Sequence, residues 1–475
     1  MKFKKFICSV MAIVLSVSLF SACESGEEEY SYYESIIEIT DDSQNSEENP
    51  AEDSGSSDKT GTATPGGSNS SQATENNKKI DLGGRTIVYH TFWAEPKKGG
   101  SDRENNYWKK KTEIEEKYNC KFQHVASNDD TLYDTVITSI IAGKPSCDIM
   151  SSKQIAFSAM KQGLFYDLSK LDAIDLSEDK WRKSVTEFGT LNGKQYLMEA
   201  GKMITANMVL YNKDLFAAEK AEDLYTLQKD GKLTLDKLIS VMKGLYDGKT
   251  SSTVVDIFPF NLHIQFAYAY GGQLVTRKAG TTDFQSTINS TQVTNGFKAA
   301  QELLDSGVVV NNAGSSWTWA RDEFLKGNYP ILVGSGDLEN IASNCSFELG
   351  ACSFPTVDGG SLSIISDVQW AAIPYNVKNP DEVAVVWNEM ADYIFDVNYK
   401  NRYQDIVPDD VMELLNSMSK RQVSGDLKID YYNVIDIWAD GVGVAFNQMI
   451  AGSATPASTI QTVNTMINSK LKTLK

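Results

Sequence analysis

Between residues 86 and 150 strand-like and helix-like patterns alternate, and this alternation leaves few architectures open. Thr86-Ile-Val-Tyr-His-Thr-Phe-Trp93 is rich in β-branched and aromatic residues and reads as a strand. Glu104 to Tyr118 then sets Tyr107, Lys111, Ile114 and Tyr118 at helical spacing, and Lys121 to Val125 is a second strand. Leu132, Tyr133, Val136, Ile137, Ile140 and Ile141 fall on one helical stripe. Gly143 and Pro145 end that helix, and Cys147-Asp-Ile-Met150 gives a third strand. A β-α-β-α-β order calls for a mostly parallel sheet with helices on both faces, because parallel neighbours must be joined by crossovers. The pattern resumes with helical spacing in Val293 to Asp305 and Asp381 to Ile394 and a short strand from Tyr329 to Val333. Asn379-Pro380 marks the start of the last helix.

The alternating part begins at Ile80 and runs to Lys475. Single cores stop growing beyond about 250 to 300 residues, so a part this long predicts two α/β lobes. No internal repeat at a solenoid period is present. The preceding residues are of another kind. Lys2, Lys4 and Lys5 precede an uncharged apolar run from Phe6 to Phe20, and small residues lead to Cys23. That order is a secretory signal, and the 15-residue run falls short of the roughly 20 residues a spanning helix needs. Residues 24–79 carry 14 acidic and 3 basic residues among Ser, Gly, Asn and Thr. Such a segment buries too little surface to offset its chain entropy and reads as a disordered acidic stalk. The Tyr30 to Ile39 patch within it has no assigned role.

Charge and motifs exclude several functions. The stalk and leader leave −10 of the chain's −18 to the residues from Ile80 onward, which offers nothing for nucleic acid. His90, His124 and His263 are scattered singly and read as strand or core histidines. There is no His-Glu-x-x-His, Gly-x-Ser-x-Gly or P-loop motif. Ser-x-x-Lys occurs at Ser177, Ser240 and Ser417 among other places, but the one Lys-Thr-Gly lies in the stalk at Lys59. Neither an enzyme nor a cofactor or metal site is expected. Cys120, Cys147, Cys345 and Cys352 allow three disulfide pairings, match no metal spacing, and read best as free buried thiols.

Phe20-Ser21-Ala22-Cys23 resembles the lipobox of bacterial lipoproteins, which implies a diacylglyceryl thioether on Cys23. Behind it, Ala142-Gly143-Lys144-Pro145-Ser146-Cys147-Asp148, Gln162 to Leu168, Leu191 to Tyr196 and above all Tyr211-Asn212-Lys213-Asp214-Leu215-Phe216 follow in order. Ala320 to Val333, Ala351 to Gly360 and Ala372-Ile373-Pro374 complete the series. Together these resemble the family 1 extracellular solute-binding proteins of ABC importers, the maltose-binding-protein-like group. The resemblance implies the periplasmic-binding-protein-like type II fold, with two α/β lobes, a ligand cleft and three crossovers. It divides the chain into residues 80–200 plus 335–370 as lobe one and 201–334 plus 371–475 as lobe two. All four mature cysteines then fall in lobe one. Cys120 and Cys147 would open strands on either side of the first strand, about 9 to 10 Å apart and beyond disulfide reach.

Open α/β sheets bind ligand beyond the carboxyl ends of their strands. In lobe one those ends carry Trp93, Glu95, Ser152, Lys153, Gln154, Asp337 and Trp370; in lobe two the matching edges carry Asn261, His263, Tyr268, Trp317 and Trp319. Aromatic platforms with polar neighbours suit sugars, whose rings show apolar C–H faces and a rim of hydroxyls. Trp108, Trp181, Trp387 and Trp438 read instead as packing residues. Ser151-Ser152 replaces the aromatic that maltose-type members often place after the third strand, which implies an altered subsite. The expected function is a monomeric, lipid-anchored receptor at the extracellular face of the cell membrane, in a Gram-positive setting. It would bind a small-molecule solute, an oligosaccharide, and pass it to ABC permease subunits. The alternatives are a surface glycan-binding adhesin or accessory lipoprotein without a transporter, and a receptor for a non-sugar solute such as a peptide.

Overall fold

Strand β1 is Arg85–Thr91, with Ile87 and Tyr89 fully buried. The computed structural model describes residues 80–473 except 154–155, 202–206, 257–259, 279–282, 313–314, 317, 335–337, 366–368, 395–402 and 433–440. After β1 come α1 (Asp102–Tyr118), β2 (Cys120–Ala126), α2 (Asp129–Ile141) and β3 (Ile149–Ser152), in the expected order. Ser101 and Glu104 form a capping box that starts α1, and Asn119, at φ 48°, turns the chain from α1 into β2. Both β2 and β3 run parallel to β1, on either side of it. The leader and stalk, including Cys23, lie outside the described residues.

The chain continues through α3 (Ala156–Lys161), α4 (Lys183–Phe188) and a small hairpin, β4 (Thr190–Leu191) with β5 (Lys194–Gln195). It then enters a second layer system: β6 (Met208–Asn212), α5 (Lys213–Ala218), α6 (Leu224–Lys229), α7 (Leu235–Gly244), β7 (Thr253–Val255) and α8 (Asn261–Ala269). A hairpin of β8 (Val275–Arg277) and β9 (Phe284–Ser286) leads to α9 (Thr291–Asp305), α10 (Trp319–Leu325), β10 (Ile331–Val333), α11 (Leu338–Asn344) and β11 (Leu349–Ser353). Last come β12 (Ile364–Ile365), β13 (Trp370–Ala372), α12 (Pro380–Ile394), α13 (Asp409–Ser424), β14 (Lys428–Ile429), α14 (Val442–Ile450) and α15 (Pro456–Thr473). None of the described helices is long and apolar enough to cross a membrane.

Two four-stranded sheets organise these elements, ordered β13-β3-β1-β2 and β11-β6-β10-β7. Their membership corrects the expected boundaries. Residues 335–370 were assigned to lobe one, yet β11 pairs antiparallel with β6 along Leu349 to Ser353. All five β6 residues are buried, so its ladder needs partners on both edges, and β11 and β10 supply them. Conversely β13 pairs with β3, and α12 packs on α1 through Val383, Val386 and Trp387, which places residues 370–394 in lobe one. Among the described residues, membership therefore changes from one sheet to the other three times: after Gly201, after Ile365 and after Ile394. Cys345 and Cys352 consequently belong with the second sheet, apart from Cys120 and Cys147, and all four thiols are free. Burial pushes the Cys120 thiol up to about 11.

The motifs that carried the resemblance have structural reasons. Asp148 accepts from the Val88 amide at 2.8 Å and from Arg85 at 2.7 Å, fastening β3 to β1. Arg85 also reaches Glu382 at 2.6 Å and so ties the returning α12 to the same strands. In Tyr211 to Phe216, Asn212 caps α5, Tyr211 donates to Asp223 at 2.6 Å, and Lys213 bridges Glu348 and Asp410. Trp181 and Trp387 are fully buried, as expected of packing residues, and Trp387 lies 4.9 Å from the Tyr89 ring. Trp108 is half-buried with its indole N–H on the Pro96 carbonyl, and Trp438 lies outside the described residues.

Candidate functional site

The carboxyl ends of β1 and β3 bring together Phe92, Trp93, Ser152 and Lys153. The Phe92 and Trp93 rings stand perpendicular with centroids 4.6 Å apart, and both residues are half-buried. Trp93 leans edge-on against Tyr89, and its carbonyl accepts from His124 Nε2 at 2.9 Å. Burial holds the His124 imidazole below its usual range, which favours the neutral ring that makes this single donation. Lys153 is exposed, its ammonium 5.4 Å from the Phe92 ring centre. Ser152 is buried opposite Trp370 in the β3–β13 pair. Thus Trp93 and Lys153 stand at this edge, and Phe92 joins them. Phe92 was not singled out from the sequence, where a strand-end Phe beside a Trp reads as core.

In the second sheet the corresponding edge is formed by Asn207, Asp256 and Gly334. The Gly334 amide donates to the Met208 carbonyl and the Asp256 amide to the Val333 carbonyl, so β7 and β10 end where β6 begins. A Cβ on Gly334, at φ 110°, would meet the Asp256 Cβ at 2.8 Å. Asn261, at the start of α8, donates to the Asp256 carbonyl at 3.1 Å. Asp256 was missed because Thr253-Val-Val255 is too short a run to stand out as a strand, and only the strand makes the following acid a site candidate.

The two edges are close in chain. Asn207 donates through Nδ2 to the Ile364 carbonyl, and six residues later Trp370 pairs with Ser152. Six residues extend at most about 22 Å, which bounds the separation of Ile364 from Trp370.

Five expected site residues lie elsewhere. Trp370 is fully buried, its ring 5.6 Å from Phe165, and its carbonyl accepts from the buried Ser151. Glu95 takes Tyr107 Oη at 2.8 Å and Lys111 Nζ at 2.6 Å, so its carboxylate anchors the loop after β1 to α1. His263 is buried between α8 and α9 with Nε2 3.0 Å from Gln301 Oε1, and burial pushes it down to about 4. The close packing of α8 on α9 is what takes it from any cleft. Trp319 lies 6.1 Å from Tyr329, near the start of β10 and away from the edge at Gly334. Tyr268 is buried beside Asp430. Gln154, Trp317 and Asp337 lie outside the described residues.

Asp430 is itself informative. It is fully buried and accepts the amides of Leu274 at 2.6 Å, Val275 at 3.0 Å and Tyr432 at 3.1 Å, stapling the segment after β14 to β8. Burial, opposed by those donors, pushes its carboxyl up to about 7. An unfolded Asp titrates near pH ~4, so the folded state binds this proton more tightly and the ionised form costs stability. That cost is absent below pH ~4, grows as pH rises to about 7 and is complete above it. Urea denaturation of wild type and Asp430→Asn at pH 4.5, 6 and 7.5 should show a steeper loss of stability with rising pH in wild type.

A sequence profile of bacterial extracellular solute-binding proteins matches residues 111–387, more than half of the chain. The chain belongs to this family. Its solute-binding fold recurs in solved structures at low identity. A substrate-binding protein of Listeria monocytogenes, solved with cycloalternan, is 18% identical with a TM-score of 0.58, covering 82% of this chain and 99% of that one. The cyclic α-maltosyl-1,6-maltose binding protein of Arthrobacter globiformis is 15% identical with a TM-score of 0.59, covering 82% and 100%. A solute-binding protein of Agrobacterium vitis, solved with D-mannitol, is 15% identical with a TM-score of 0.55, covering 82% and 99%. No curated protein matches. The family and fold are those of solute-binding proteins, which are not enzymes.

Proposed function

We propose that this solute-binding protein is the lipid-anchored receptor of an ABC importer and binds an oligosaccharide between its two lobes. The observation that carries the reading is the perpendicular Phe92–Trp93 pair with Lys153 at one sheet edge, linked by a short stretch of chain to the Asp256–Asn261 edge of the other. Aromatic faces take the C–H surface of a sugar, while the ammonium and the Asp and Asn groups take its hydroxyls. Ligand that touches both edges favours the closed arrangement by its differential affinity, and the closed form is what a permease would receive. Relatives of this fold solved with cycloalternan and with D-mannitol support a polyhydroxyl ligand.

Calorimetry of the purified mature chain against plant, host and starch oligosaccharides, with polyols and short peptides alongside, tests the proposal. Saturable binding of an oligosaccharide is expected; binding of a peptide alone, or of nothing by a folded protein, would overturn it. The anchor is tested separately. Cys23→Ala is expected to move the protein from the membrane fraction into the culture medium and to abolish incorporation of labelled fatty acid. Retention of both in the variant would contradict lipidation at Cys23.

A further inference from the structure

The end of lobe one opposite the ligand edge carries two large apolar side chains that the fold leaves uncovered. There α2 closes in a Schellman cap, in which the Gly143 amide, at φ 78°, donates to the Ile140 carbonyl and the Lys144 amide to the Ser139 carbonyl. The helical stripe read from the sequence would bury both Ile140 and Ile141, but at this last turn Ile140 is fully buried and Ile141 is 62% exposed. Asn376 donates through Nδ2 to the Ile140 carbonyl at 3.1 Å and the Tyr375 amide to the Leu164 carbonyl at 3.0 Å, which fastens Tyr375, 48% exposed, beside the end of α2. Arg85 grips the same loop through the Lys378 carbonyl at 2.7 Å. Lys144 and Lys378 flank the pair, both exposed and neither in an ion pair among the described residues. Of the acids on these loops, Asp148 and Glu382 are taken up by Arg85, which leaves Asp381 at the start of α12. Ile80, the first described residue, is 44% exposed at this same end, where β1 and β2 begin, so the chain from Cys23 arrives here.

We propose that this end of lobe one is a membrane-contact face, on which Ile141 and Tyr375 enter the headgroup region of an anionic bilayer while Lys144 and Lys378 take lipid phosphates. Apolar side chains held outward on fastened loops mark a surface that meets another apolar phase. A tyrosine suits the headgroup level, where its ring is buried and its hydroxyl stays wet. Lysines beside the apolar pair give such a surface its preference for anionic lipid. Two side chains and two lysines bind weakly by themselves, but a tether raises the local concentration enough to populate a weak contact. In that respect the proposal rests on the lipid anchor at Cys23. Strands β1 and β3 run from this end to the edge at Trp93 and Lys153, so the contact directs that edge away from the bilayer, toward solute arriving from outside.

The test holds the mature chain on vesicles through an N-terminal hexahistidine tag and a nickel-chelating lipid, so its outcome does not depend on lipidation at Cys23. A nitrobenzoxadiazole fluorophore is attached at Ala142→Cys, an exposed neighbour of Ile141, in a Cys345→Ser background, since Cys345 is the one mature thiol that is not buried. The control carries it at Val444→Cys on α14, 61% exposed and in lobe two. In vesicles of phosphatidylcholine with phosphatidylglycerol, a headgroup nitroxide lipid is expected to quench the label at position 142 and not at 444. Omission of phosphatidylglycerol should abolish most of the quenching, and Ile141→Ser and Tyr375→Ser should each reduce it. Lys144→Ala and Lys378→Ala should each weaken the contact by about 5-fold. All these positions are exposed, and unchanged circular dichroism confirms that the variants fold. Equal quenching at 142 and 444, or quenching indifferent to phosphatidylglycerol, would overturn the proposal. Quenching at 142 that appears only as the protein density on the vesicles rises assigns the face to a second copy of the chain and overturns it as well. If the separate Cys23→Ala experiment contradicts lipidation, quenching at 142 still supports the face, and only the anchor falls.

Discussion

Gly296→Ala is expected to destabilise the protein by about 3 kcal/mol, at the upper end of what overpacking costs. Gly296 sits mid-way along α9, where a Cβ would lie 2.5 Å from the Ala267 nitrogen and 2.6 Å from the Phe266 carbonyl carbon. Those atoms are backbone of α8, so no rotamer change can clear them and the two helices must separate. Separation would expose or loosen Val293, Phe297 and Ala300 on one side and Phe266 and Ala267 on the other, all fully buried. It would also disturb the His263–Gln301 pair that spans the same interface. The matched control is Gly244→Ala in α7, where an added Cβ meets nothing within 4 Å. There the lost freedom of the unfolded chain should dominate and stabilise the protein by about 0.4 to 1 kcal/mol. Denaturant unfolding of the two variants should move the midpoint in opposite directions.

Trp93→Ala should carry the largest effect on ligand, a loss of about 2 kcal/mol or roughly 30-fold in affinity, as for a central aromatic anchor. Phe92→Ala should cost somewhat less, because part of its ring already faces Trp93 and the Lys153 ammonium. The diagnostic feature is the split between binding and stability. Trp93 is only half-buried and its backbone is held by His124, so removal of the indole should leave thermal unfolding of the ligand-free protein nearly unchanged. Trp370→Ala should do the reverse. Its ring is fully buried against Phe165, and truncation of a core Trp costs about 3 to 5 kcal/mol. Calorimetry with the tightest oligosaccharide, beside thermal melts, separates the two cases.

The fold was legible wherever period and punctuation coincided. The β-α-β-α-β order of residues 85–152 follows from alternation between β-branched runs and one apolar helical stripe, and the structure reproduces it element for element. The lobe boundaries were less legible because they depend on which strand pairs with which. Leu349 to Ser353 and Trp370 to Ala372 are both short apolar runs, and nothing local tells that one completes β6 and the other β3. The site divides along the same line. Trp93 and Lys153 follow directly from where β1 and β3 end, whereas His263 and Tyr268 look like edge residues until the close approach of Gly296 to α8 fixes which face of that helix is buried. Glu95 shows a further limit. Its partners Tyr107 and Lys111 are spaced as one helical face in the sequence, but that they turn toward the loop after β1 is a tertiary fact.

The most direct test of a ligand held between the lobes is a crystal structure of the mature chain grown with the oligosaccharide that binds most tightly. Sugar density is expected against Phe92 or Trp93 on one side and within hydrogen-bonding distance of Asp256 or Asn261 on the other. Density confined to one lobe, or lying away from both sheet edges, would contradict the account.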